Sequence, residues 1–599
     1  MSAPVYSVVE ALERAAARTC AGFRFVDEAA GREPFYSYED LERQSANYGG
    51  AMQQLGLRKG DRIALILPDD ADFVFAFLGA ARAGLVPVPI YPPAGLRKLE
   101  GYLENTLHIV HKSGARIVLT SSAVRKLLGT IQLRAPELRR VVAVEPIRSE
   151  AHPLRPERIA PDDICFLQFT SGSTAEPKGV VVTHANVAAN QHAFMIEGLG
   201  VTPDDSGVSW LPLYHDMGLI GFVLAPIYNL NTITFLPPLL FLKRPARWLQ
   251  ALSRHRGTVS FAPNFAYALC VKRVRESDLV GLDLSAWRVA GCGAEPIRAD
   301  DLLRFAERLA PCGFDRRALL PCYGMAESTL AVSFDQLGQS VRTETVDGAR
   351  LAAERRAVPV APEAPGAIPL VNCGKAFSGH EIGVFEPDDC DGTRRLADRL
   401  VGEIRIRGPS VTSGYFDDRE KTEAAMAAGW LRTGDLGYLV DGCLYVCGRR
   451  KELIIVNGRN YYPQDLEWEA SRVEGVRKGN VVAFGTLPPS GERERVVVAF
   501  ETAQTEPDAR GALVVEIRRS VQQTLGLTLD EVVPLDPGVL PKTSSGKLKR
   551  AETRKLYEGG ELSERTSIRK ADPIGVAKEL ARSQLAYVRQ ALRGKKPEP

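Results

Sequence analysis

The pattern of hydrophobic and polar residues predicts strands and helices in alternation along the first 310 residues. Short apolar runs such as 63–67 and 86–90 are typical of strands, and a stretch with helical spacing at 70–83 lies between them. Alternation of this kind indicates α/β layers with mainly parallel sheets, whose ligands bind beyond the carboxyl ends of the strands. The later predicted strands are 115–120, 141–144, 207–211, 232–236, 258–262 and 287–291.

The pattern changes at residue 371. Shorter alternating runs follow, and AspGly at 441–442 is a strong hairpin signal. Residues 371–447 therefore predict a small β-rich unit. From ArgArgLys at 449–451 onward, strands and a helix at 513–525 predict a small α+β domain, so the expected domains are 1–448 and 449–599.

Charge and composition narrow the class of partner. The 599-residue chain has a net charge of +3, with 45% hydrophobic and 25% charged residues. These values are those of a globular protein, and they predict no nucleic-acid partner. The excess of lysine and arginine lies from Lys542 onward, and a solvated, partly helical tail is favoured there over a docking patch.

Membrane and secretory signals are not expected. The N-terminus lacks a secretory apolar core, and the most apolar stretch, 219–242, is broken by Pro226, Pro237 and Pro238. No transmembrane segment is predicted. The ten cysteines have no paired spacing, which favours reduced thiols and a cytoplasmic protein.

A loop rich in hydroxyl groups lies between the predicted strands 164–169 and 180–183. Its backbone N–H groups suit a concave nest for phosphate oxygens, and a lysine adds a mobile point charge. The spacing differs from that of the GxxxxGK[ST] loop. A plain polar hairpin tip is the alternative, but so dense a set of hydroxyls ending in ProLysGly favours phosphate. The candidate residues are Thr170, Ser171, Gly172, Ser173, Thr174 and Lys178.

The segment SerGlySerThrAlaGluProLysGly at 171–179 resembles the phosphate loop of the adenylate-forming superfamily. That superfamily contains acyl-CoA synthetases, peptide-synthetase adenylation domains and luciferases. Its usual pattern has glycine in place of Ala175, and alanine adopts a positive φ less readily. The resemblance runs from about Tyr36 to Arg550. It implies ATP and Mg²⁺ as cofactors, and a large N-terminal adenylation domain of two α/β layered subdomains plus a small β-barrel, followed by a mobile α+β lid.

TyrGlyMetAlaGluSer at 323–328 is a candidate adenine and metal motif. Tyr323, next to Gly324, offers a flat π-face, and Glu327 is a hard oxygen ligand of the kind that Mg²⁺ prefers. By itself the motif is equally consistent with a core tyrosine and a surface glutamate. The resemblance implies that the tyrosine packs on adenine and that the glutamate holds magnesium.

Two further motifs belong to the nucleotide side. GlyCysGlyAlaGluPro at 291–296 resembles the adenine-side loop, where Gly293 and Ala294 allow a base to approach the backbone closely. In ThrGlyAspLeuGly at 433–437, the resemblance implies that Asp435 accepts hydrogen bonds from both ribose hydroxyls, which a carboxylate does well. The alternative is an aspartate in an ordinary turn.

Four basic residues complete the candidate site. The resemblance implies a second ribose contact by Arg449 and a hinge at Lys451, about which the small domain swings. It also implies that His215, in TyrHisAspMetGly, gates or positions the carboxylate pocket. Lys547 matches the lysine that bridges the acyl carboxylate and the α-phosphate. The predicted catalytic residues are thus Lys547, His215 and Glu327.

Two segments resemble the fatty acyl-AMP ligase branch. Residues 455–467 match it in sequence, and 333–370 is an extra segment. The resemblance implies that this insertion keeps the lid from the position that accepts CoA, because an extra packed segment can bias a two-position hinge. The acyl group then passes to the phosphopantetheine of an acyl carrier protein or a carrier domain of a polyketide or lipid synthase. A solvent-exposed surface loop is the alternative.

The predicted function is ATP-dependent adenylation of a fatty acid with transfer to a carrier protein. A fatty acyl-CoA synthetase and a non-catalytic nucleotide-binding scaffold are the alternatives. The acyl pocket should be an apolar tunnel. Apolar residues near His215 either line it or belong to the core; they are Trp210, Met217, Leu219, Ile220 and Phe222.

Overall fold

A computed structural model gives the fold. It describes residues 5–18, 20–93, 99–170, 177–389, 391–456, 459–486, 494–542, 547–562 and 582–586. Four predicted phosphate-loop residues, Ser171, Gly172, Ser173 and Thr174, lie outside this set. Within the described ranges, no helix is long and apolar enough to cross a membrane.

The strands follow the predicted alternation closely in the first half of the chain. In chain order they are β1 Gly22–Phe25, β2 Phe35–Ser37, β3 Arg62–Ile66, β4 Val86–Pro89, β5 Ile117–Thr120, β6 Arg140–Ala143, β7 Ile164–Thr170, β8 Lys178–Thr183, β9 Ser206–Ser209, β10 Thr232–Phe235, β11 Val259–Ala262, β12 Val289–Cys292, β13 Leu319–Gly324, β14 Ala331–Phe334, β15 Thr343–Asp347, β16 Ala367–Val371, β17 Lys375–Ala376, β18 Glu381–Phe385, β19 Gly402–Arg407, β20 Met426–Ala427, β21 Trp430–Val440, β22 Cys443–Arg449, β23 Ile454–Val456, β24 Arg459–Tyr461, β25 Val476–Thr486, β26 Arg495–Thr502 and β27 Glu531–Leu535.

The helices separate these strands and cover the sheets. They are α1 Val8–Arg18, α2 Tyr38–Gln54, α3 Asp70–Arg82, α4 Leu99–Ser113, α5 Ser122–Arg125, α6 Gly129–Arg134, α7 Glu145–Ser149, α8 His184–Gln191, α9 Asp216–Leu219, α10 Ala225–Asn229, α11 Pro238–Lys243, α12 Ala246–Arg254, α13 Asn264–Arg273, α14 Glu276–Leu279, α15 Ala299–Leu309, α16 Gly348–Glu354, α17 Arg419–Ala425, α18 Pro463–Arg472, α19 Pro507–Leu525 and α20 Arg550–Glu558. Two π-helical segments, His192–Gly198 and Ile220–Leu224, interrupt this set.

Two α/β subdomains form most of the large domain. A nine-stranded sheet has the order β17-β14-β13-β12-β11-β9-β10-β1-β2, and its strands from β13 to β1 are parallel. A second sheet, β4-β3-β5-β6, is parallel throughout. The large sheet shares one buried hydrophobic cluster with one face of the second sheet, and the other face of the second sheet contributes to a separate cluster. The predicted α/β fold with mainly parallel sheets is therefore confirmed.

The β-rich unit contains five paired strands, β18 to β22. Its last hairpin turns at Asp441 and Gly442, whose φ values of 51° and 77° are those of a tight hairpin turn, as the AspGly pair predicts. The resemblance implies a small barrel here. In the described residues the pairs are β18–β19, β19–β21, β20–β21 and β21–β22.

The small domain packs a three-stranded sheet, β25-β26-β27, against α18 and α19. The segment 333–370 is an ordered hairpin, β15 and β16, that carries α16. Its Leu351 shares one buried cluster with Tyr462, which directly precedes α18. The insertion thus packs between the β-rich unit and the small domain, which a solvent-exposed loop would not do.

Part of the basic tail returns to the large domain. Ser583 is fully buried, and its Oγ accepts a hydrogen bond of 2.8 Å from the N–H of Gly129 in α6. A side chain at Gly129 would clash with the Ser583 carbonyl, 2.3 Å from the Cβ position. The expectation of a solvated, partly helical tail holds for the exposed Arg582, Gln584 and Leu585 but not for Ser583 and Ala586, which are buried.

Acidification is expected to destabilise the fold through His184. The N–H of Val8 in α1 donates to His184 Nδ1 at 3.3 Å, and burial lowers the pKa of His184 to about 4 from 6.5. Because the unfolded chain binds this proton more tightly, stability falls as the pH decreases from 6.5 toward 4, by roughly 3 kcal/mol. Urea unfolding at a series of pH values measures the slope. His184→Gln should flatten it, and an unchanged slope in that variant would contradict the assignment.

Candidate active site

The site lies where the central strands of the large sheet end and the loops after them begin. Gly293 and Ala294 directly follow β12, and Tyr323 and Gly324 end β13. His215 directly precedes α9. Parallel strands present their carboxyl ends at one edge of a sheet, so these motifs, separated by up to 109 positions, meet in one cleft.

Close backbone approach explains the small residues of the adenine-side loops. A Cβ at Gly293 would lie 2.5 Å from Cys322 Sγ, and one at Gly324 would lie 2.1 Å from the carbonyl oxygen of Leu330. Ala294 has φ of 65°, in the left-handed region that costs an L-residue roughly 1–2 kcal/mol. Strain of this type is often stored where a ligand approaches the backbone.

The phosphate side contains a lysine, a tyrosine and a glutamate. Lys178 begins β8 opposite Thr170, and its Nζ lies 4.7 Å from the centroid of the Tyr415 ring. Tyr415 Oη donates a 2.9 Å hydrogen bond to Glu327 Oε1. Burial lowers the pKa of Lys178, and the charge of Lys451 lowers it further. The predicted hinge lysine, Lys451, therefore lies close enough to Lys178 for the two charges to interact.

The ribose side is organised by a buried carboxylate. Asp435 Oδ2 accepts a 2.7 Å hydrogen bond from Tyr323 Oη, and Oδ1 lies 3.1 Å from Arg449 Nε. Asp435 and Arg449 face each other across β21 and β22. Burial raises the pKa of Asp435, while Arg449 and Tyr323 oppose the rise. Three predicted nucleotide residues, far apart in sequence, thus form one hydrogen-bonded group.

Lys547 projects from the small domain into the cleft of the large domain. Burial lowers its pKa, and the nearby carboxylates of Glu295 and Asp216 oppose that effect. Burial also lowers the pKa of His215, to about 3, with the charge of Lys547 acting in the same direction. His215 is therefore neutral at physiological pH and adds no positive charge. The small domain is docked with its lysine at the predicted carboxylate pocket.

A second contact holds the small domain in this position. The guanidinium of Arg298 lies 4.7 Å from the centroid of the Trp468 ring in α18. Arg298 belongs to the segment that follows the adenine-side loop, so the lid contacts the large domain beside the site. Such cation–π contacts contribute about 0.5–2 kcal/mol.

An apolar cavity opens from the site and runs beneath the sheet. It encloses about 800 Å³ of space free of atoms, including its mouth. Asp216, Ala294, Tyr323 and Gly324 lie at the mouth. The walls are mostly hydrophobic and aromatic, and include Phe194, Met195, Leu199, Met217, Phe222, Val259, Phe261, Leu330 and Phe334.

The five apolar residues near His215 divide between the two alternatives that the sequence left open. Met217 and Phe222 line the cavity. Leu219 and Ile220 are fully buried core residues. Trp210 is also core, stacked on Phe241 with ring centroids 3.9 Å apart.

Tyr415, Asp216 and Glu295 belong to the site but were not predicted. Asp216 and Glu295 lie inside the motifs that contain His215 and Ala294. The sequence signal that could have identified them is a carboxylate able to pair with the predicted catalytic lysine. Tyr415 lies 88 positions from Glu327 along the chain. Only the fold brings that pair together.

The donor set fits a magnesium ion that is held mainly by phosphate. Glu327 is the carboxylate on the phosphate side, and burial raises its pKa while Tyr415 opposes the rise. No group of three or more His, Cys, Asp or Glu side chains converges in the described part of the chain. Mg²⁺ commonly takes one or two carboxylates together with substrate phosphates, so one glutamate suffices.

Sequence comparison decides the family. Residues 12–416 match the model of the AMP-binding enzymes. The chain belongs to the AMP-binding enzyme family. This match spans the two α/β subdomains and the first two strands of the β-rich unit, and it includes Lys178, His215, Tyr323 and Glu327 of the site described above.

Individual AMP-binding enzymes resemble the chain over most of its length. A Caulobacter vibrioides protein, provisionally named as an acyl-CoA synthetase, is 38% identical over 525 residues, which cover 87% of this chain and 90% of that protein. The medium-chain fatty acid acyl-carrier-protein ligase TtuA of Teredinibacter turnerae is 34% identical over 577 residues, with 86% and 88% covered.

A solved structure extends the likeness to the whole fold. It comes from a study of fatty acyl-adenylate ligases of E. coli and L. pneumophila. The TM-score is 0.87 with 38% identity, and the match covers 94% of this chain and 99% of that one. The resemblance of the motifs to the fatty acyl-AMP ligase branch is confirmed.

Proposed function

We propose that this protein joins a fatty acid to AMP at the expense of ATP and passes the acyl group to the phosphopantetheine thiol of an acyl carrier protein. The observation that carries the proposal is the position of Lys547. It reaches from the lid to the mouth of an apolar cavity, beside the group formed by Tyr323, Asp435 and Arg449. A carboxylate from the cavity and a nucleotide phosphate would meet there.

The chemistry requires two anions to approach each other. A carboxylate oxygen attacks the α-phosphorus of ATP, the bond to the bridging oxygen breaks, and pyrophosphate leaves with that electron pair. The fatty acid is already ionised near pH 7, so no general base is needed. The work of the protein is alignment and neutralisation of charge. Lys547 supplies a positive charge to the reacting end, and neutral His215 is a positioning group.

The residues proposed to bind phosphate would hold the pyrophosphate that leaves. Thr170 ends β7 and Lys178 begins β8, so the Thr170 hydroxyl and the lysine lie at the two ends of the loop between these strands. Glu327 would hold Mg²⁺, which would screen the phosphate oxygens when bound. Tyr415 keeps the Glu327 carboxylate in place through its 2.9 Å hydrogen bond. The lysine and the glutamate thus occupy neighbouring positions around one phosphate chain.

The nature of the cavity supports a fatty acid. Its charged lining residues are Asp216 and Asp205, and most of the other lining residues are apolar or aromatic. Burial of methylene groups against such walls contributes about 0.8 kcal/mol each. The relative TtuA is named for medium-chain fatty acids, which agrees with a substrate of this class.

The insertion supports a carrier protein rather than free CoA as the acceptor. Residues of α16 and β16 face Tyr461, Tyr462 and Leu525 of the lid across a narrow crevice. Rotation of the lid toward a thioester-forming position would break these contacts. The name of TtuA includes an acyl-carrier-protein ligase activity. A fatty acyl-CoA synthetase is the second candidate, which the Caulobacter relative favours by name.

Direct competition between acceptors tests the proposal. The protein would be incubated with dodecanoate, ATP and Mg²⁺, and with either CoA or a phosphopantetheine-loaded carrier protein. We expect acyl-adenylate in all cases and thioester mainly on the carrier protein. Rapid acyl-CoA formation without the carrier protein would favour the synthetase, and no adenylate at all would favour a non-catalytic scaffold.

Loss of the Asp435 carboxylate is expected to weaken ATP binding. Asp435→Ala removes the acceptor held by Tyr323 and Arg449, and with it the proposed ribose contact. Loss of two hydrogen bonds at about 1 kcal/mol each should raise the KM for ATP roughly 30-fold and change the KM for the acid less. Tyr323→Phe is the matched control, since it keeps the ring and the carboxylate. Equal rises of both KM values would argue against a ribose contact.

The proposed compartment is the cytoplasm. The nine cysteines in the described ranges are all free thiols. Thiols persist in this form in a reducing compartment, where disulfides are rare. The test is to label the cysteines of protein taken from cells with a thiol reagent, once before and once after reduction. If the proposal is right, the two samples carry equal amounts of label.

A further inference from the structure

The far end of the acyl cavity is built from polar residues, unlike its walls. Asp205, Ser206 and Asn231 line that end, at the amino-terminal edge of β9 and β10. Asp205 is buried and paired with Arg288, whose Nη2 lies 2.7 Å from Oδ2. Thr258 Oγ1 donates to Asp205 Oδ1, also at 2.7 Å.

Further hydrogen bonds make this end rigid. Arg288 Nη1 donates to the carbonyl oxygen of Leu199 at 2.8 Å. Asn231 Nδ2 donates to the carbonyl oxygens of Thr202 and Asp205, at 2.6 and 3.1 Å. The loop before β9 is therefore tied to β10 and β12. An alkyl chain that passed this point would have to displace the buried Asp205 carboxylate from its hydrogen bonds and from its ion pair with the half-buried Arg288.

The strand register gives the depth of the cavity. Gly207 in β9 is level with Val259 in β11, and Val259 is level with Val289 in β12. The next residue of β12, Ala290, faces Leu319 of β13. Gly324 at the mouth thus lies six residues beyond the level of Gly207. At a strand rise of about 3.3 Å per residue, the distance is roughly 20 Å.

This depth corresponds to a definite length of alkyl chain. An extended chain with bonds of about 1.5 Å advances about 1.3 Å per bond, so roughly 15 bonds fit between mouth and floor. We infer that the floor formed by Asp205, Ser206 and Asn231, with Asp205 held in place by Arg288, limits the acyl substrate to about 16 carbons. This inference rests on the proposed function and adds the substrate class.

Substitutions at two depths test the limit. Val259 lines the distal cavity, so Val259→Phe should shorten the limit to about 12 carbons, since a phenyl group fills about three methylene lengths. Gly221 also lines the cavity, and a Cβ there would contact only Leu330 Cδ2 at 3.5 Å. Gly221→Val should shorten the limit to about 8 carbons, about half the full depth.

The experiment measures acid-dependent pyrophosphate release with octanoate, dodecanoate, hexadecanoate and eicosanoate. In the unaltered protein, kcat/KM should rise to hexadecanoate and fall at least tenfold for eicosanoate. Val259→Phe should lose hexadecanoate and keep dodecanoate, whereas Gly221→Val should lose dodecanoate and keep octanoate. Retained octanoate activity shows that each variant is folded.

Two results would overturn the limit. One is eicosanoate used as fast as hexadecanoate by the unaltered protein. The other is a combination of two findings. Val259→Phe and Gly221→Val lose activity equally with every acid, and Gly207→Ala leaves the acid profile unchanged although its methyl group meets Ile233 Cδ1 at the distal end. Failure of all four acids in the unaltered protein would overturn the proposed function as well, so the two failures are distinguishable.

Discussion

Lys547→Ala is expected to slow acyl-adenylate formation by about 100-fold or more, with little change in the affinity for ATP. The half-buried lysine lies close enough to Asp216 and Glu295 for their charges to raise its pKa, and Asp216 lines the acyl cavity. Charge that develops between carboxylate and α-phosphate meets its ammonium group. Loss of one preorganised donor to a transition state costs roughly 3 kcal/mol, which is the expected effect on kcat. Single-turnover formation of adenylate measures it.

Lys549 provides the control. It lies two residues away in the same domain, and its Nζ is 3.0 Å from Glu552 on a partly exposed surface. Lys549→Ala should retain normal adenylate formation, because surface pairs of this kind contribute about 1 kcal/mol or less. A rate near normal in Lys547→Ala, or an equal loss in both variants, would remove Lys547 from the mechanism.

Excision of the insertion is expected to raise acyl-CoA formation at least tenfold. Thr343 and Val371 are paired neighbours at the open end of the β15–β16 hairpin, so two glycines join them without stretching the chain. Removal of 344–370 eliminates α16 and its contacts with the lid. A freed lid can reach the second position, and the acyl-adenylate then meets CoA. The measurement is acyl-CoA formed per acyl-adenylate consumed.

A point variant separates the loss of lid contacts from damage to the domain. Ala352 of α16 is buried at the crevice with the lid, and Ala352→Arg places a charged side chain there. It should raise acyl-CoA formation in the same direction as the excision, while adenylate formation stays near normal. If both variants make adenylate but no acyl-CoA, the insertion does not control the acceptor.

Short motifs allowed most of the site to be predicted from sequence. Each motif places its residues at a strand end or a turn, and local pattern is sufficient to locate such positions. Tyr323, Asp435 and Arg449 were expected around one nucleotide, and the fold joins them by hydrogen bonds. The four hydroxyl-loop positions outside the described residues remain predictions.

The residues that sequence reasoning missed depend on contacts across the fold. Tyr415 contacts Glu327 and Lys178 from a distant part of the chain, and no local sequence pattern indicates these contacts. Apolar neighbours of His215 look alike in sequence, yet Met217 and Phe222 line the cavity while Leu219 belongs to the core, and Phe222 lies in a π-helical turn. Helical periodicity cannot anticipate an irregular turn.

The basic tail shows the same limit of local reasoning. Its composition favours solvent, and charge patterning gives no hint of a docking site. The contact between Ser583 and Gly129 depends on a glycine more than 450 positions away, which leaves room for the tail backbone. Composition predicts that a segment of this kind is exposed on average. The position of residues 582–586 instead depends on one specific contact with α6.

The central claim is that an ionised fatty acid and ATP react in the cleft between the two domains. Exchange of labelled pyrophosphate into ATP, with Mg²⁺ and with or without dodecanoate, tests it most directly. The account predicts exchange that depends on the acid and is lost in Lys547→Ala. Exchange that is absent with every fatty acid tried, or that proceeds equally without any acid, would contradict it.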